Sequence, residues 1–349
     1  MARARRRYGV AVIGCGAMGM GHVAAAAEHD RTRLVATVDR LPRVAAAAAR
    51  RYGADLHFAD YRQVLTRSEV EVVVIATWPS SHREIAVSCL AAGKHVLLEK
   101  PLAPSLAEAE AVVRAVRRTG RKLRVGYILR HNSTYQRAAE LISSGSIGFP
   151  IAMRMLGGEH VIYPDHWREC LKLITETSPI VDCGCHYVDV MRWCTGAEAV
   201  RVSGVSCRLD SRVPQGKYDY GIITIAFSDG STGIYEVGWT HNYREFSEKE
   251  FIGPKGRLRI IYAADRTEHH EEGDLIEVYR FPGKYRQMNV PGVLKPIARE
   301  MSDLLDCIEE DLDPMPALDD AMKSLQIVLA GERAIGTGKT VPIRPWTLA

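Results

Sequence analysis

One stretch limits this chain's folding options more than any other. Gly9-Val-Ala-Val-Ile13 runs into Gly14-Cys15-Gly16-Ala17-Met18-Gly19, and Met20-Gly21-His22-Val23 and four alanines follow. The β-branched apolar run reads as a buried parallel strand and the small residues after Gly19 as a helix, so the glycines fall at a strand-to-helix turn. In that setting each glycine has a task. Gly14 permits the tight turn, Gly16 removes the side chain that would hold a pyrophosphate off the backbone, and Gly19 lets helix and strand pack closely. The first N–H groups of the helix, at Ala17 and Met18, then face the phosphates.

A second apolar strand, Leu34-Val35-Ala36-Thr37-Val38, ends in Asp39, twenty residues past Gly19. A carboxylate there accepts the ribose hydroxyls of an adenosine and repels a 2′-phosphate, which favours NAD over NADP. Arg40 points the other way, because a guanidinium can hold that phosphate. The expected cofactor is NAD, with NADP as the alternative.

With 349 residues, 46% of them hydrophobic, the chain can bury more than one core, and two domains are expected. The net charge of +4 is matched in number by Arg3, Arg5, Arg6 and Arg7, ahead of the first strand. The remainder is close to neutral, without the basic stripe of a nucleic-acid binder. No apolar run approaches a membrane span. Eight cysteines with no C-x-x-C pair fit reduced thiols in the cytoplasm. Cys183, Cys185 and His186 lie close in sequence, but cysteines one residue apart on a helix point to different faces, so no metal site is expected.

Strand and helix alternate as far as Gly126. Glu71 to Thr77 reads as a central strand opening into Trp78-Pro79-Ser80-Ser81-His82, and in such sheets ligands bind beyond the carboxyl ends of strands. The next strand ends in Glu99-Lys100-Pro101. A lysine at that mouth can stabilise the charge that develops on an oxygen as hydride leaves its carbon. A solvated Lys100 paired with Glu99 explains the same residues without chemistry. After Pro150 the pattern shifts to strands, with a turn at Ser228-Asp229-Gly230 that reads as a hairpin, and two late helices follow at about 296–310 and 319–335. In the segment opened by Ser178-Pro179, Ser178 suits an N-cap and Gly196 a stop, which predicts one helix. Asp182, His186 and Asp189 then share a face, and a carboxylate one turn from a histidine raises its basicity for taking a proton from an alcohol.

Taken together, the glycine turn, Asp39, the string Ala91-Ala92-Gly93-Lys94-His95-Val96-Leu97-Leu98-Glu99-Lys100-Pro101-Leu102 and Asp182-x-x-x-His186 resemble the glucose-fructose oxidoreductase, inositol dehydrogenase and MocA family. The resemblance implies an α/β plus α+β architecture. An N-terminal Rossmann domain (1–126) carries a doubly wound parallel sheet, and a substrate and oligomerisation domain (127–349) carries a large open, mostly antiparallel one. It implies an NAD(P)-dependent oxidoreductase acting on a secondary hydroxyl or carbonyl of a sugar, cyclitol or related polyol, with Lys100, Asp182 and His186 catalytic. Gly14, Gly16, Ala17, Met18, Gly19, Asp39, Arg40, Thr77, Trp78, Pro79, His82, Glu99 and Lys100 would line the cofactor. Tyr127, Arg130, Asn132, His160 and Trp167 would meet the substrate beside the catalytic three, with Tyr163, Asp165 and His166 as further candidates. A homodimer or homotetramer through the second sheet is expected, with neither nucleic acid nor membrane as a partner. Two rivals use the same residues: a glycoside hydrolase acting through transient sugar oxidation, and a non-catalytic NAD-binding regulator. One departure stands out. Many relatives carry G-G-G before the aspartate helix, whereas this chain has Glu176-Thr177-Ser178-Pro179-Ile180.

Overall fold

The structure is a computed structural model that describes residues 6–160, 164–240, 246–262, 273–293 and 295–347. The chain divides into two compact units, one holding residues up to Ile128 with Pro296–Met322, the other Leu129–Lys295 with the residues from Lys323 onward.

The first unit is built on six parallel strands: β1 (Tyr8–Ile13), β2 (Thr32–Val38), β3 (Leu56–Phe58), β4 (Val72–Ile75), β5 (His95–Leu98) and β6 (Leu123–Val125). Their order, β3-β2-β1-β4-β5-β6, reverses between β1 and β4. That reversal leaves a crevice at the carboxyl ends of β1 and β4, where doubly wound sheets bind nucleotides. Every residue of β1 and β4 is buried, as central strands covered on both faces require.

The helix Ile297–Glu309 corrects the domain division expected from the sequence, which assigned the whole of 127–349 to the second domain. Its Met301, Leu304 and Leu305 join Val10, Val12, Leu34, Val74 and Leu97 in one core, with Ile308 packed against it. These side chains recur at i, i+3, i+4 and i+7, forming the stripe an amphipathic helix buries. Each fully buried one contributes about 1.5–3 kcal/mol by leaving water. Gly21 makes room, since a Cβ there would lie 2.6 Å from Ile297 Cδ1. Arg31 adds ion pairs to Asp306 (2.5 Å) and Glu309 (3.0 Å).

The second unit carries a nine-stranded sheet: β7 (Ala152–His160), β8 (Ala199–Cys207), β9 (Tyr220–Phe227), β10 (Thr232–Thr240), β11 (Phe246–Gly253), β12 (Gly256–Ile261), β13 (Asp274–Arg280), β14 (Lys284–Val290) and β15 (Val341–Pro342). The order is β14-β13-β12-β11-β7-β10-β9-β8-β15, and only the β7–β10 pairing is parallel. Alternation fixes the faces. Ile223, Ile225, Tyr235, Val237, Leu258 and Ile260 are buried, while Thr224, Ile234 and Arg257 are exposed. The hairpin predicted at Ser228-Asp229-Gly230 joins β9 to β10, with Gly230 at φ +86°. Among the described residues no helix is long and apolar enough to cross a membrane.

Candidate functional site

In the first unit the glycine turn takes the geometry read from its spacing. Gly14 sits at φ +90°, and a Cβ there would lie 2.4 Å from the Ala76 carbonyl oxygen. A Cβ at Gly19 would lie 1.8 Å from the Gly14 oxygen. Both positions therefore exclude any side chain on steric grounds. Gly16 differs: its φ is an ordinary −73° and a Cβ would meet nothing within 4 Å. The fold itself has no need of a glycine there. The open space lies at the N-terminus of the helix Ala17–Glu28, which Gly16 caps without a side chain. A cradle that a Cβ would fill, at a helix end favouring anions, fits a pyrophosphate.

Asp39 stands beside this turn. Its Oδ2 accepts a hydrogen bond from Cys15 N (3.0 Å) and its Oδ1 one from Leu41 N (2.9 Å). Each carboxylate oxygen can accept a second bond, so ribose hydroxyls can add to those already made. Arg40 is exposed next to it.

Replacing Gly16 by Ala should leave the melting temperature unchanged and weaken NAD binding by about tenfold or more, about 1.4 kcal/mol. Calorimetric titration beside a thermal melt reads both. Unchanged affinity in G16A would remove the pyrophosphate from this turn.

At the end of β4, Thr77 and Trp78 are half-buried and Pro79 opens a single helical turn, Pro79–Ser81. His82 departs from its expected place on the cofactor. The ring is fully buried, with Nδ1 2.8 Å from the Pro101 oxygen and Nε2 3.1 Å from the Thr77 oxygen. Burial holds its pKa below the ordinary histidine value, favouring the neutral ring. The neutral ring has one N–H, and donated from Nδ1 to the Pro101 oxygen it ties the start of the helix after β4 to the segment after β5. Glu99 also turns inward. Its Oε1 lies 2.7 Å from His22 Nε2, and its Oε2 accepts the Lys100 N–H at 3.3 Å. Lys100 is half-buried while Glu99 is only 7% exposed, so the surface ion pair weighed from sequence does not describe them.

In the second unit the expected single helix is two, Pro179–Asp182 and Gly184–Thr195. Cys183 joins them in αR geometry, φ −82° and ψ −35°. The Asp182 carbonyl, which in an unbroken helix would take the His186 N–H, accepts the Cys185 thiol at 3.1 Å, and His186 N bonds to Cys183 O at 3.1 Å. The turn is tightened without reversing, so Asp182 and His186 stay about one turn apart along the chain. Asp182 is buried at 9% exposure and His186 half-buried.

The segment Glu176-Thr177-Ser178-Pro179-Ile180 is anchored at Ser178. Ser178 Oγ accepts Val181 N (3.2 Å) as an N-cap and donates to Glu332 Oε2 (2.5 Å). The Tyr218 hydroxyl donates to the same oxygen at 2.5 Å. Burial, with the Glu332 charge beside it, pushes the Tyr218 hydroxyl far above the ordinary tyrosine range, so it remains a donor. Glu332 and Tyr218 carry no motif that sequence reading could have found.

Three other residues expected at the substrate, Arg130, Asn132 and Tyr127, are held within the protein. Asp189 is paired bidentately with Arg130, at 2.7 and 2.9 Å, and Arg130 lies over the Trp193 ring at 5.2 Å. Asn132 caps the helix Ser133–Ser143, its Oδ1 accepting Thr134 N (2.9 Å) and Tyr135 N (3.3 Å). Tyr127 is 1% exposed. The side chains of His160, Asp165, His166 and Trp167, and all of Tyr163, lie outside the described residues. Sequence reading also missed Lys249, a fully buried lysine on β11 whose ammonium lies 4.4 Å from the Tyr187 ring centre, next in chain to His186.

Residues 8–127 match the oxidoreductase family with an NAD-binding Rossmann fold, and residues 135–259 match the GFO/IDH/MocA C-terminal domain. The scyllo-inositol 2-dehydrogenase (NAD(+)) of Bacillus subtilis is 30% identical over 254 residues, 72% of each chain. The chain belongs to the Gfo/Idh/MocA oxidoreductase family. Inositol 2-dehydrogenase 2 of Saccharopolyspora erythraea is 29% identical to this family member over 265 residues, 75% of this chain and 76% of that one. The crystal structure of aldose-aldose oxidoreductase from Caulobacter crescentus complexed with glycerol matches with a TM-score of 0.83 and 25% identity, covering 97% of this chain and 100% of that one. As a Gfo/Idh/MocA protein it is an NAD-binding oxidoreductase, in keeping with the turn at Gly14–Gly19.

Proposed function

We propose that this Gfo/Idh/MocA member moves hydride between NAD and a secondary alcohol or ketone of a cyclitol, sugar or related polyol. The observation that carries the reading is Lys100, at the carboxyl end of β5, its main chain bonded to a buried Glu99 in the sheet that bears the glycine turn. The inositol dehydrogenases among its relatives support the substrate class.

Bound NAD supplies the hydride acceptor, at C4 of its nicotinamide. His186, in its neutral form, takes the hydroxyl proton as the carbinol hydrogen departs. Asp182 stabilises the imidazolium that results, and the Lys100 ammonium stabilises the oxygen while it carries charge. In the reduction direction His186 returns the proton. Asp39 favours NAD over NADP through the ribose hydroxyls.

The test is a turnover screen across inositols and aldoses, followed at the nicotinamide absorbance with product analysis. One of these polyols should yield NADH and a ketone or lactone in equal amounts. Glycosides screened beside them test the hydrolase: release of their aglycone with no net NADH would establish it instead, and no turnover on any polyol or glycoside would favour the regulator.

We also propose that copies associate through the outer face of the nine-stranded sheet, on which Val205, Ile234 and Ile252 are exposed. The thiols of Cys15 and Cys89, in no disulfide, suit the reducing cytoplasm.

A further inference from the structure

Within the first unit, Glu99 and His22 are buried beside the Lys100 main chain, and a second buried carboxyl, Glu300, lies on a helix that packs against β5 and has no task in the chemistry above. Glu300, on the helix Ile297–Glu309, is 0% exposed, and neither carboxyl oxygen has a hydrogen-bond partner among the described residues. Glu99, at the end of β5, has His22 Nε2 at 2.7 Å and the Lys100 N–H at 3.3 Å among its partners. His22 is itself 1% exposed, on the helix that begins at the glycine turn.

Burial first, and then the Glu99 charge, hold the Glu300 carboxyl well above the usual carboxylate range. Asp303 on the same helix acts in the same direction, and Arg124 of β6 opposes both. A buried carboxyl with no donor is costly to ionise, and the helix that bears Glu300 packs on the strand that leads to Glu99, Met301 sharing one core with Leu97. Of the two carboxyls, the proton goes to the one with fewer donors to stabilise its charge. Here that one is Glu300.

We propose that Glu300 is a positioning residue for Lys100, holding as a neutral acid the proton of the Glu99–Glu300 pair so that Glu99 alone stays ionised on His22 and the Lys100 main chain. This rests on the catalytic reading of Lys100. Once Glu300 ionises at alkaline pH, a second negative charge faces Glu99, the hold on the Lys100 main chain loosens and turnover falls. Glutamine at position 300 keeps the shape and cannot ionise.

Two measurements on the full-length protein decide the matter. The infrared spectrum of the cofactor-free enzyme at neutral pH should show the carbonyl stretch of a protonated carboxyl, and E300Q should lack that band. In steady-state kinetics the alkaline limb of the kcat profile should lie higher in E300Q by about one pH unit, the scale of shift a neighbouring charge imposes. A missing band, or a limb that stays in place, overturns the proposal. If E300Q does not fold, E99Q decides: without the Glu99 charge the band should disappear at lower pH, and a band indifferent to that change overturns the proposal. The infrared readout needs no turnover. Normal activity in K100M would therefore sink the lysine reading while leaving the Glu300 proton where the spectrum finds it.

Discussion

Lys100→Met should lower kcat by about 10²–10³-fold, the usual loss when one preorganised donor to a developing oxyanion is removed. The fold and the affinity for NAD should remain. The main-chain bond from Lys100 to Glu99 does not depend on the side chain, and the glycine turn that fits the pyrophosphate lies on a different strand. Methionine keeps the unbranched stem and removes the charge, so the comparison isolates the ammonium. Single-turnover absorbance at saturating polyol measures the loss, and calorimetric titration of NAD measures the retention. A loss confined to KM would make Lys100 a binding residue whose contact is equally strong in ground and transition states. A variant with normal turnover would leave the reacting oxygen without the cation assigned to it.

What the sequence disclosed and what it withheld divide along the range of the interactions involved. The strand, turn, helix and acid of Gly9 to Asp39 were legible because each is a local consequence: buried strand residues, a φ of +90° at Gly14, and a helix pressed onto the Gly14 oxygen at Gly19. The N-cap at Ser178 was legible for the same reason, and Asn132 before Ser133 carried an equally readable cap signal. Periodicity marked Met301, Leu304 and Leu305 as one face of a helix but could not say which sheet that face covers, because the partners are some two hundred residues or more earlier in the chain. His82 and Glu99 have side chains suited to a cofactor; only the packed structure shows them turned onto Pro101 and His22. The pairing of Asp189 with Arg130 spans 59 residues and removes Asp189 from the acid face read along the helix. The break at Cys183 comes from a competition that spacing does not reveal, a thiol taking a carbonyl from the backbone ladder. The helix Pro164–Glu176 and the edge strand β14 were not assigned, although Pro164 at a helix start and Pro282-Gly283 ahead of β14 were readable signals.

For the second unit, His186→Asn should reduce kcat by about 10²–10⁴-fold, the range general-base catalysis supplies. The pH dependence separates a base from a residue that only binds. In the oxidation direction the imidazole must be neutral to accept the hydroxyl proton, so the wild-type enzyme loses activity as the pH falls and the ring charges. H186N has no such group, and the acid limb of its kcat/KM profile should flatten. Asp182→Asn supplies the complementary result. Removing a carboxylate one turn away takes away a charge that favours the imidazolium, so the acid limb should move to lower pH while the maximal rate falls. The Ser178–Glu332–Tyr218 contacts and the Cys185 bond to the Asp182 carbonyl involve neither substituted side chain, which leaves the backbone of both helices in place. An acid limb that survives unchanged in H186N would assign the proton to another group, and a D182N profile superposable on the wild type would leave Asp182 with a structural task alone.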